Sequence, residues 1–388
     1  MMRIESEAGT PTPSWLDRCL AVRDGLLASP RFRRWAAVFP LTRPVARRRT
    51  RALFDLCAGF VYSQVLHACV RLRLFEILAE GPQSSAALSR RLGLSRDATE
   101  RLLAAAASLR LAARRGKGRY GLGPLGAAMV ENPGVAAMVE HHAMLYADLR
   151  DPVGLLRGER GETELGRYWP YAGAERPGGL TAGQVAAYSA LMAASQPLVA
   201  AEVLDAYPEL RRHRRLLDVG GGEGAFLTAA AERAPDLGLV LFDLPAVAER
   251  AKVRFAAAGL AGRAEVVGGS FLSDPLPLGA DVVSLVRVVH DHDDDAALAI
   301  LRAARRVLPD DGGVLLLAEP MSGTPGAEPT GDAYFGFYLL AMGRGRPRTP
   351  AELEGLLRAA GFGRTRLVPT STPLLTRLIV AHASDPHG

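Results

Sequence analysis

The residues Leu216-Leu-Asp-Val-Gly-Gly-Gly-Glu-Gly-Ala-Phe226 decide the fold of this 388-residue chain. Two leucines and an acid run into glycines, and residues 225–233 then have the composition of a helix. This order predicts a strand, a tight turn and a helix. Glycine tolerates positive φ and lets a ligand approach the bare backbone. Gly220-x-Gly222-x-Gly224 is therefore a candidate nucleotide-binding loop.

Two carboxylates narrow the choice of ligand. Asp218 ends the first strand, and Asp243 ends the next apolar run, where an acid binds ribose hydroxyls. No Lys-Ser or Lys-Thr pair follows the glycines, which excludes a Walker loop. A carboxylate before the loop suits a ligand with positive charge, such as S-adenosylmethionine with its sulfonium and ammonium groups. A nicotinamide oxidoreductase stays open as an alternative through a partial match at 220–225, although Asp218 argues against it.

The rest of the C-terminal half alternates between strands and helices. This alternation predicts an α/β fold with a parallel, doubly wound sheet. The predicted strands are 215–219, 239–243, 264–267, 281–286, 313–318, 365–368 and 374–382. We expect ligands at the carboxyl ends of these strands.

The sequence predicts three regions. Residues 1–50 are a basic, largely irregular arm, because five prolines interrupt them. Residues 51–212 are mostly helical and include the helix, turn, helix and hairpin outline of a winged helix. Residues 213–388 are the ligand-binding domain. The second winged-helix segment, 96–109, is rich in Ala and Leu and poor in basic residues, which favours subunit pairing over DNA binding. A ligand-sensing DNA-binding protein stays open as an alternative.

Composition places the chain among cytoplasmic proteins without metal. The net charge is +6, and the three cysteines form neither a disulfide framework nor a zinc spacing. No signal core begins the chain, and no long uncharged run is expected to span a bilayer. Eight arginines between Arg31 and Arg51 lie without an acid beside Trp35. This arm could rest peripherally on an anionic membrane, or it could be a solvated or subunit-packing arm.

Polar residues that follow the strands form the candidate catalytic rim. Gly269, Ser270 and Phe271 follow the third strand and could hold adenine. His290 follows the fourth strand and is a candidate general base, with Glu319 after the fifth strand to orient it. The alternative for His290 is a surface histidine in an acidic run.

These motifs together resemble the S-adenosylmethionine-dependent small-molecule O-methyltransferases. The segments that carry the resemblance are 216–224, 242–245, 268–271 and 289–291, with Glu319. It extends over roughly residues 55–380 and implies a Rossmann-like methyltransferase domain behind a winged-helix dimerisation domain. It further implies a homodimer, S-adenosylmethionine as cofactor, no metal and no nucleic acid. The implied cofactor-binding residues are Asp218, Gly220, Gly222, Gly224, Asp243, Leu244, Gly269, Ser270, Phe271 and Arg287.

The resemblance also implies a reaction, in which His290 deprotonates an acceptor hydroxyl. Segments 51–62, 188–196 and 334–343 are most similar to members that methylate the tertiary 1-hydroxyl of an acyclic carotenoid. A phenolic or polyketide hydroxyl is the alternative acceptor. Pro347 stands where many members have a second glutamate beside the base, so Glu319 alone would orient it. The expected substrate-lining residues are Tyr188, Met192, Tyr334, Phe335, Tyr338 and Met342.

Overall fold

The computed structural model describes residues 14–159, 161–174 and 177–383. They form two compact units. The first combines the chain up to Leu74 with Gly81–Gly123, and the second combines Phe75–Glu80 with the chain from Pro124 onward. The units divide at 123/124, whereas the sequence predicted a division at 212/213, because the long helix before the glycine loop packs on the sheet that follows it.

Helices and strands account for most of the described chain. The helices are α1 (Trp15–Ala28), α2 (Pro30–Val38), α3 (Arg43–Arg71), α4 (Leu74–Ala79), α5 (Ser85–Leu92), α6 (Arg96–Ser108), α7 (Pro124–Ala127), α8 (Pro133–Asp148), α9 (Pro152–Leu156), α10 (Glu164–Tyr168), α11 (Pro170–Gly173), α12 (Ala182–Ala206), α13 (Ala225–Arg233), α14 (Pro245–Ala257), α15 (Asp294–Val307), α16 (Gly336–Met342) and α17 (Pro350–Ala359). The strands are β1 (Gln83–Ser84), β2 (Ala112–Arg115), β3 (Arg119–Leu122), β4 (Arg215–Val219), β5 (Gly238–Asp243), β6 (Ala264–Gly268), β7 (Val282–Val286), β8 (Val314–Glu319), β9 (Thr365–Val368) and β10 (Arg377–His382).

The N-terminal arm is helical from Trp15, so the predicted irregular arm is wrong over residues 14–50. Ser14 and Asp17 form a capping box at the start of α1, and the side chain of Ser29 caps α2. Pro30 lies in the first turn of α2, where its missing N–H costs nothing. Pro30 and Pro44 therefore lie in the first turns of helices, and Pro40 lies in the turn between α2 and α3. Residues 1–13 of the predicted arm lie outside the described residues.

Helix α3 differs from the sequence-based expectation about membrane spans. By length and composition alone it contains a window apolar enough to cross a bilayer, and only 11% of that window is buried. Large apolar side chains are exposed along its surface, among them Leu53, Phe54, Leu56, Phe60 and Val61. An apolar surface of this kind is typical of an interaction site.

The rest of the first unit has the predicted winged-helix outline. Helices α5 and α6 lie between β1 and β2 in the chain, and the three strands form a small sheet with the order β1-β3-β2. Ser84 and Ser95 cap the two helices through their side chains, and Gly93 ends α5 in the left-handed conformation.

The second unit contains the predicted doubly wound sheet. Its strand order is β6-β5-β4-β7-β8-β10-β9, and the first five strands are parallel. Strand β10 runs antiparallel between β8 and β9. The connection 369–376 between β9 and β10 contains no crossover helix, and such a short connection joins antiparallel strands. One apolar core lies on each face of the sheet.

The turn after β7 is held by a buried arginine, Arg348. Its guanidinium donates to the carbonyl oxygens of Val289 (2.9 Å) and His292 (2.7 Å) and to Asp294 Oδ1 (2.9 Å). The side chain is 1% exposed, so water cannot replace it at these carbonyls. Arg348 therefore positions the turn that carries His290.

We predict that Arg348→Ala lowers the free energy of unfolding by at least about 2 kcal/mol, because two buried carbonyl oxygens each lose a donor worth roughly 1–3 kcal/mol. Arg346→Ala is the matched control. Arg346 also pairs with Asp294, but its side chain is 44% exposed, so it should cost under about 1 kcal/mol. Denaturant unfolding of both variants measures the difference, and equal losses would contradict this role of Arg348.

Candidate active site

A cavity that is partly open to solvent lies at the carboxyl edge of the parallel strands. The loops after β4, β5, β6 and β7 form one wall, and helices α11 and α12 contribute to the other. Apolar and aromatic side chains line it together with a few polar groups, which is usual for the binding site of a small molecule.

The loop after β4 needs glycine for two separate reasons. Gly220 has φ +70°, and a Cβ there would lie 2.8 Å from Val288 Cγ2. Gly224 has φ +80°, and a Cβ there would lie 2.3 Å from the ring of Phe255. Gly220 and Gly222 line the cavity, whereas Gly224 does not. Gly224 instead allows α13 to start close to α14.

Asp243 fixes this loop and also lines the cavity. Its Oδ2 accepts the N–H of Gly222 (2.7 Å), and its Oδ1 accepts the N–H of Leu244 (2.7 Å). Burial raises the pKa of Asp243 to about 6, although these two hydrogen bonds oppose the shift. Each carboxylate oxygen can accept a further hydrogen bond, so Asp243 is able to bind a donor group in the cavity. Leu244 also lines the cavity.

Asp218 lies behind the glycine loop and does not line the cavity. Ser284 donates to its Oδ1 (2.6 Å), and its Oδ2 is buried without a hydrogen-bond partner. A Cβ on Gly221 would lie 2.6 Å from that Oδ2. Burial raises the pKa of Asp218 to about 7, so the group ionises near neutral pH. An unsatisfied carboxylate oxygen beneath the loop fits a ligand with positive charge above it.

The loop after β6 contributes the part of the wall that was predicted to hold adenine. Ser270 and Phe271 line the cavity, and the Phe271 ring meets His292 edge-on at 5.4 Å. Gly269 is not among the lining residues. A Cβ at this position would lie 2.7 Å from the ring of Phe242, so the loop packs closely on β5 here. Asp274 accepts the N–H of Ser270 (2.8 Å), so an acid is present near this wall four residues later in the chain.

Arg287 lines the cavity from the end of β7, in an unusual backbone conformation. Its φ is +57°, which is rare for a residue with a side chain. The guanidinium donates to Ser195 Oγ (3.1 Å) and contacts Met192 Sδ on α12. Burial lowers the pKa of Arg287, while Asp291 and Glu319 oppose that shift.

The predicted base and its predicted orienting acid meet in the structure. Glu319 Oε2 lies 2.5 Å from His290 Nδ1, and Glu319 Oε1 accepts the N–H groups of Val288 (3.1 Å) and Val289 (2.7 Å). Both side chains are buried, and Val288 and Asp291 on either side of His290 line the cavity. The histidine is therefore held by one end of its ring immediately beside the cavity. It is not a surface histidine.

A second carboxylate lies at the other end of the imidazole. Asp291 Oδ1 is 3.1 Å from His290 Nε2, and Tyr171 donates its O–H to Asp291 Oδ2 (2.8 Å). Burial lowers the pKa of His290, but Asp291 and Glu319 outweigh that effect and the net shift is upward. Sequence reasoning named only Glu319, although Asp291 is the next residue after the histidine.

The predicted substrate-lining residues divide into two groups. Tyr188 and Met192 line the cavity, whereas Tyr334, Phe335, Tyr338 and Met342 are not among its lining residues. Tyr338 accepts the indole N–H of Trp169 (2.8 Å) and lies 2.7 Å from His141 Nε2, so it supports a wall residue from behind. The segment Pro329–Phe335 is a π-helix, which turns its side chains differently from the α-helix expected there.

Trp169 and Tyr171 complete the aromatic wall and were missed from the sequence. The Trp169 and Tyr188 rings lie 5.5 Å apart, and the Tyr171 and Tyr188 rings 5.4 Å apart. The sequence offered one indication that they line a binding site, namely that they are aromatic in a chain with only 6% aromatic residues. Across residues 14–159, 161–174 and 177–383 no group of three His, Cys, Asp or Glu side chains is placed to hold a metal. The absence of a metal cofactor stays a prediction.

The fold and this cavity define an S-adenosylmethionine-dependent methyltransferase. Human N-acetylserotonin methyltransferase, solved in complex with S-adenosylmethionine, has a TM-score of 0.72 at 26% identity and covers 87% of this chain and 98% of its own. A calicheamicin-biosynthesis methyltransferase in an S-adenosylhomocysteine-bound form has a TM-score of 0.69 at 29% identity, with 86% and 98% covered.

The chain belongs to the O-methyltransferase family. A family model for the O-methyltransferase domain matches residues 172–363, and one for the O-methyltransferase dimerisation domain matches residues 54–132. Demethylspheroidene O-methyltransferase of Cereibacter sphaeroides is 47% identical over 92% of this chain and 93% of its own length. That of Rhodobacter capsulatus is 43% identical over 88% and 84%. Mouse acetylserotonin O-methyltransferase is 34% identical over 82% and 85%. The resemblance inferred from the sequence is confirmed.

We predict that Asp243→Asn weakens S-adenosylmethionine binding by about 10- to 100-fold, because hydrogen bonds to a charged group are worth roughly 1.5–3 kcal/mol. In the unmodified enzyme, affinity should rise as pH increases through about 6, where this carboxyl ionises. Titration calorimetry at pH 5–8 measures both effects. Asp236→Asn, an exposed acid just before β5, is the control. Unchanged affinity in Asp243→Asn would contradict the ribose-binding role.

Proposed function

We propose that this enzyme methylates the tertiary 1-hydroxyl of an acyclic carotenoid. The observation that carries the proposal is 47% identity to a demethylspheroidene O-methyltransferase along nearly the whole of both chains. The cavity suits an apolar acceptor, because Trp169, Tyr188, Met192 and Val247 line it. A phenolic or polyketide hydroxyl is the second candidate, since more distant relatives include a 3-hydroxy-5-methyl-1-naphthoate 3-O-methyltransferase at 31% identity.

The residues present at the cavity fit the cofactor, which supplies an activated methyl group when bound. Gly220 and Gly222 offer bare backbone, and Asp243 offers lone pairs for ribose. The unsatisfied oxygen of Asp218 lies beneath the same loop and favours a cationic ligand. We propose that Ser270 and Phe271 hold the base of the nucleoside and that Arg287 lies beside it.

We further propose that His290 accepts the hydroxyl proton. A tertiary alcohol is too weak an acid to ionise beforehand, so the proton leaves as the new carbon–oxygen bond forms. Glu319 accepts a hydrogen bond from the Nδ1–H of the ring, so Nε2 is the nitrogen that can accept the proton. Glu319 also stabilises the imidazolium that results.

We expect methyl transfer to a hydroxylated acyclic carotenoid, and a much lower rate with simple phenols, because the wall is apolar and aromatic. Incubation with radiolabelled S-adenosylmethionine and a panel of hydroxylated carotenoids and phenols measures this preference. The label should appear in a carotenoid methyl ether. Efficient labelling of phenols without labelling of carotenoids would overturn the carotenoid assignment and support the second candidate.

We predict that His290→Ala lowers kcat by about 10²- to 10⁴-fold, the usual contribution of a general base. S-adenosylmethionine affinity should stay within about twofold, because His290 is not among the residues that line the cavity. The control is His382→Ala, a histidine that pairs with Val314 at the opposite edge of the same sheet. Unmodified turnover by His290→Ala would remove this residue from the mechanism.

We propose that the enzyme is a homodimer through α3. The dimerisation family model begins at residue 54, within this helix, and its exposed apolar side chains offer a surface for a second copy. This assignment accounts for the apolar window of α3 without a bilayer. The prediction that nucleic acid is not a partner is untested.

We propose that α1 and α2 rest on an anionic membrane surface, with the enzyme otherwise cytoplasmic. No acid occurs between Asp24 and Asp55, while eight arginines do. Exposed apolar side chains lie in the same segment, including Trp35, Val38 and Leu41, and Trp15 is exposed on α1 ahead of it. Basic residues beside an anionic surface contribute about 1 kcal/mol each, and aromatic side chains insert at the interface. A carotenoid acceptor dissolves in such a membrane.

We predict that replacing Arg31, Arg33 and Arg34 by Gln weakens binding to vesicles with anionic lipid by about 10- to 100-fold. Replacing Arg302, Arg306 and Arg358, exposed on α15 and α17, by Gln is the matched control for net charge. Flotation with neutral and anionic vesicles measures binding of the full chain. Equal, negligible binding by all three proteins would contradict membrane contact.

A further inference from the structure

We propose that Asp291, held by Tyr171, occupies the proton-accepting side of His290 until an acceptor hydroxyl takes its place. Asp291 and Tyr171 would thus be positioning residues that determine when the base is available. This inference rests on the proposed role of His290 as general base. It assigns functions to two side chains outside the histidine–glutamate pair.

The first step concerns the two nitrogens of the imidazole. Nδ1 hydrogen-bonds to Glu319 Oε2 at 2.5 Å, and Nε2 lies 3.1 Å from Asp291 Oδ1 in an ion-pair contact that is not aligned as a hydrogen bond. A neutral imidazole has one N–H and one lone pair, and the lone pair would be repelled by whichever carboxylate it faces. Two carboxylates therefore favour the imidazolium, which has an N–H at each end. An imidazolium cannot accept a proton, so this arrangement holds the base in reserve.

The second step concerns the other oxygen of Asp291. Tyr171, on α11, donates its O–H to Oδ2 at 2.8 Å. The tyrosine is partly buried and lies on a different element from the histidine turn. Because of this bond, the carboxylate keeps a donor when it turns away from Nε2. Without Tyr171 it would keep only the imidazole as a close donor.

The third step concerns the acceptor. Tyr171 and Asp291 both line the cavity, whereas His290 does not. A hydroxyl that approaches Nε2 from the cavity therefore comes up against Asp291 Oδ1, which lies 3.1 Å from that nitrogen, and takes its place. Loss of that contact removes one anion from the imidazolium, and its Nε2 proton then passes to water. The neutral ring that remains accepts the acceptor's proton as the carbon–oxygen bond forms.

Other charges also face this site and must be included in any account of its pH dependence. Glu319 on β8 favours the imidazolium, and Arg287 after β7 opposes it. His292 lies on the same turn and interacts with both His290 and Asp291. None of these three side chains hydrogen-bonds to Asp291 among the bonds of the described residues, so Tyr171 is the group whose removal isolates the Asp291 contact.

The acid limb of the pH profile of kcat/KM follows the protonation of His290 in the free enzyme, so its position tests the inference. Asp291→Asn removes an anion and should move the limb to lower pH by about one unit. Tyr171→Phe leaves the Asp291 carboxylate beside Nε2 without its other donor and should move the limb to higher pH, by about half a unit. The double variant Asp291→Asn with Tyr171→Phe should have its acid limb at the same pH as Asp291→Asn alone, because Tyr171 acts through the Asp291 carboxylate. Tyr188→Phe, beside Tyr171, should change KM without moving the limb.

Nitrogen NMR of the His290 ring follows the same titration without any need for activity, and it serves if Asp291→Asn fails to fold. The His290 resonance of Tyr171→Phe should titrate at higher pH than that of the unmodified enzyme. An unmoved limb in Asp291→Asn, shifts of the same sign in both variants, or an unmoved NMR titration in Tyr171→Phe would overturn the inference. Full activity of His290→Ala would instead overturn the base assignment on which it rests.

Discussion

Glu319 accepts two backbone N–H groups and faces an imidazole nitrogen from the end of a buried strand, and the geometry of the site depends on it. The two N–H groups belong to the turn that begins where β7 ends, so a single carboxylate ties neighbouring strands together. The same turn is held from its other side by Arg348. These contacts leave the histidine with one orientation. Pre-organisation of this kind reduces the entropy that must be lost when the acceptor binds.

Buried carboxylates are the second constraint on the site. Asp218 and Glu319 are buried behind the cavity, and Asp243 and Asp291 line it and are partly buried, as is Arg287. Burial raises the pKa of Asp218 and of Asp243, which means that ionising either group in the free enzyme costs energy. A cationic ligand offsets that cost when it binds. The cavity is therefore electrostatically suited to a sulfonium compound, and less so to a pyrophosphate.

The helical first unit exposes apolar surfaces that need partners outside the chain. Helix α3 exposes an apolar surface that a soluble single chain rarely leaves open. The dimerisation family model covers this helix from residue 54, whereas α1 and α2 precede the matched region. These two helices combine arginine with exposed tryptophan. The proposed partner of the matched helix α3 is therefore a second copy of the chain. The proposed partner of the unmatched helices α1 and α2 is a lipid surface.

Local chemistry was sufficient to predict the strand–loop–helix at residues 216–226, the pairing of His290 with Glu319 and the positions of the parallel strands along the chain. These features follow from short-range patterns, because an apolar run that ends in an acid or glycine specifies both a strand and its rim. The structure alone showed that prolines begin helices in the arm and that β10 runs antiparallel. It alone brought Tyr171 and Asp291 together, since they are far apart in sequence, and it placed Tyr338 behind the cavity wall. Such contacts depend on packing between distant elements, which no local pattern encodes.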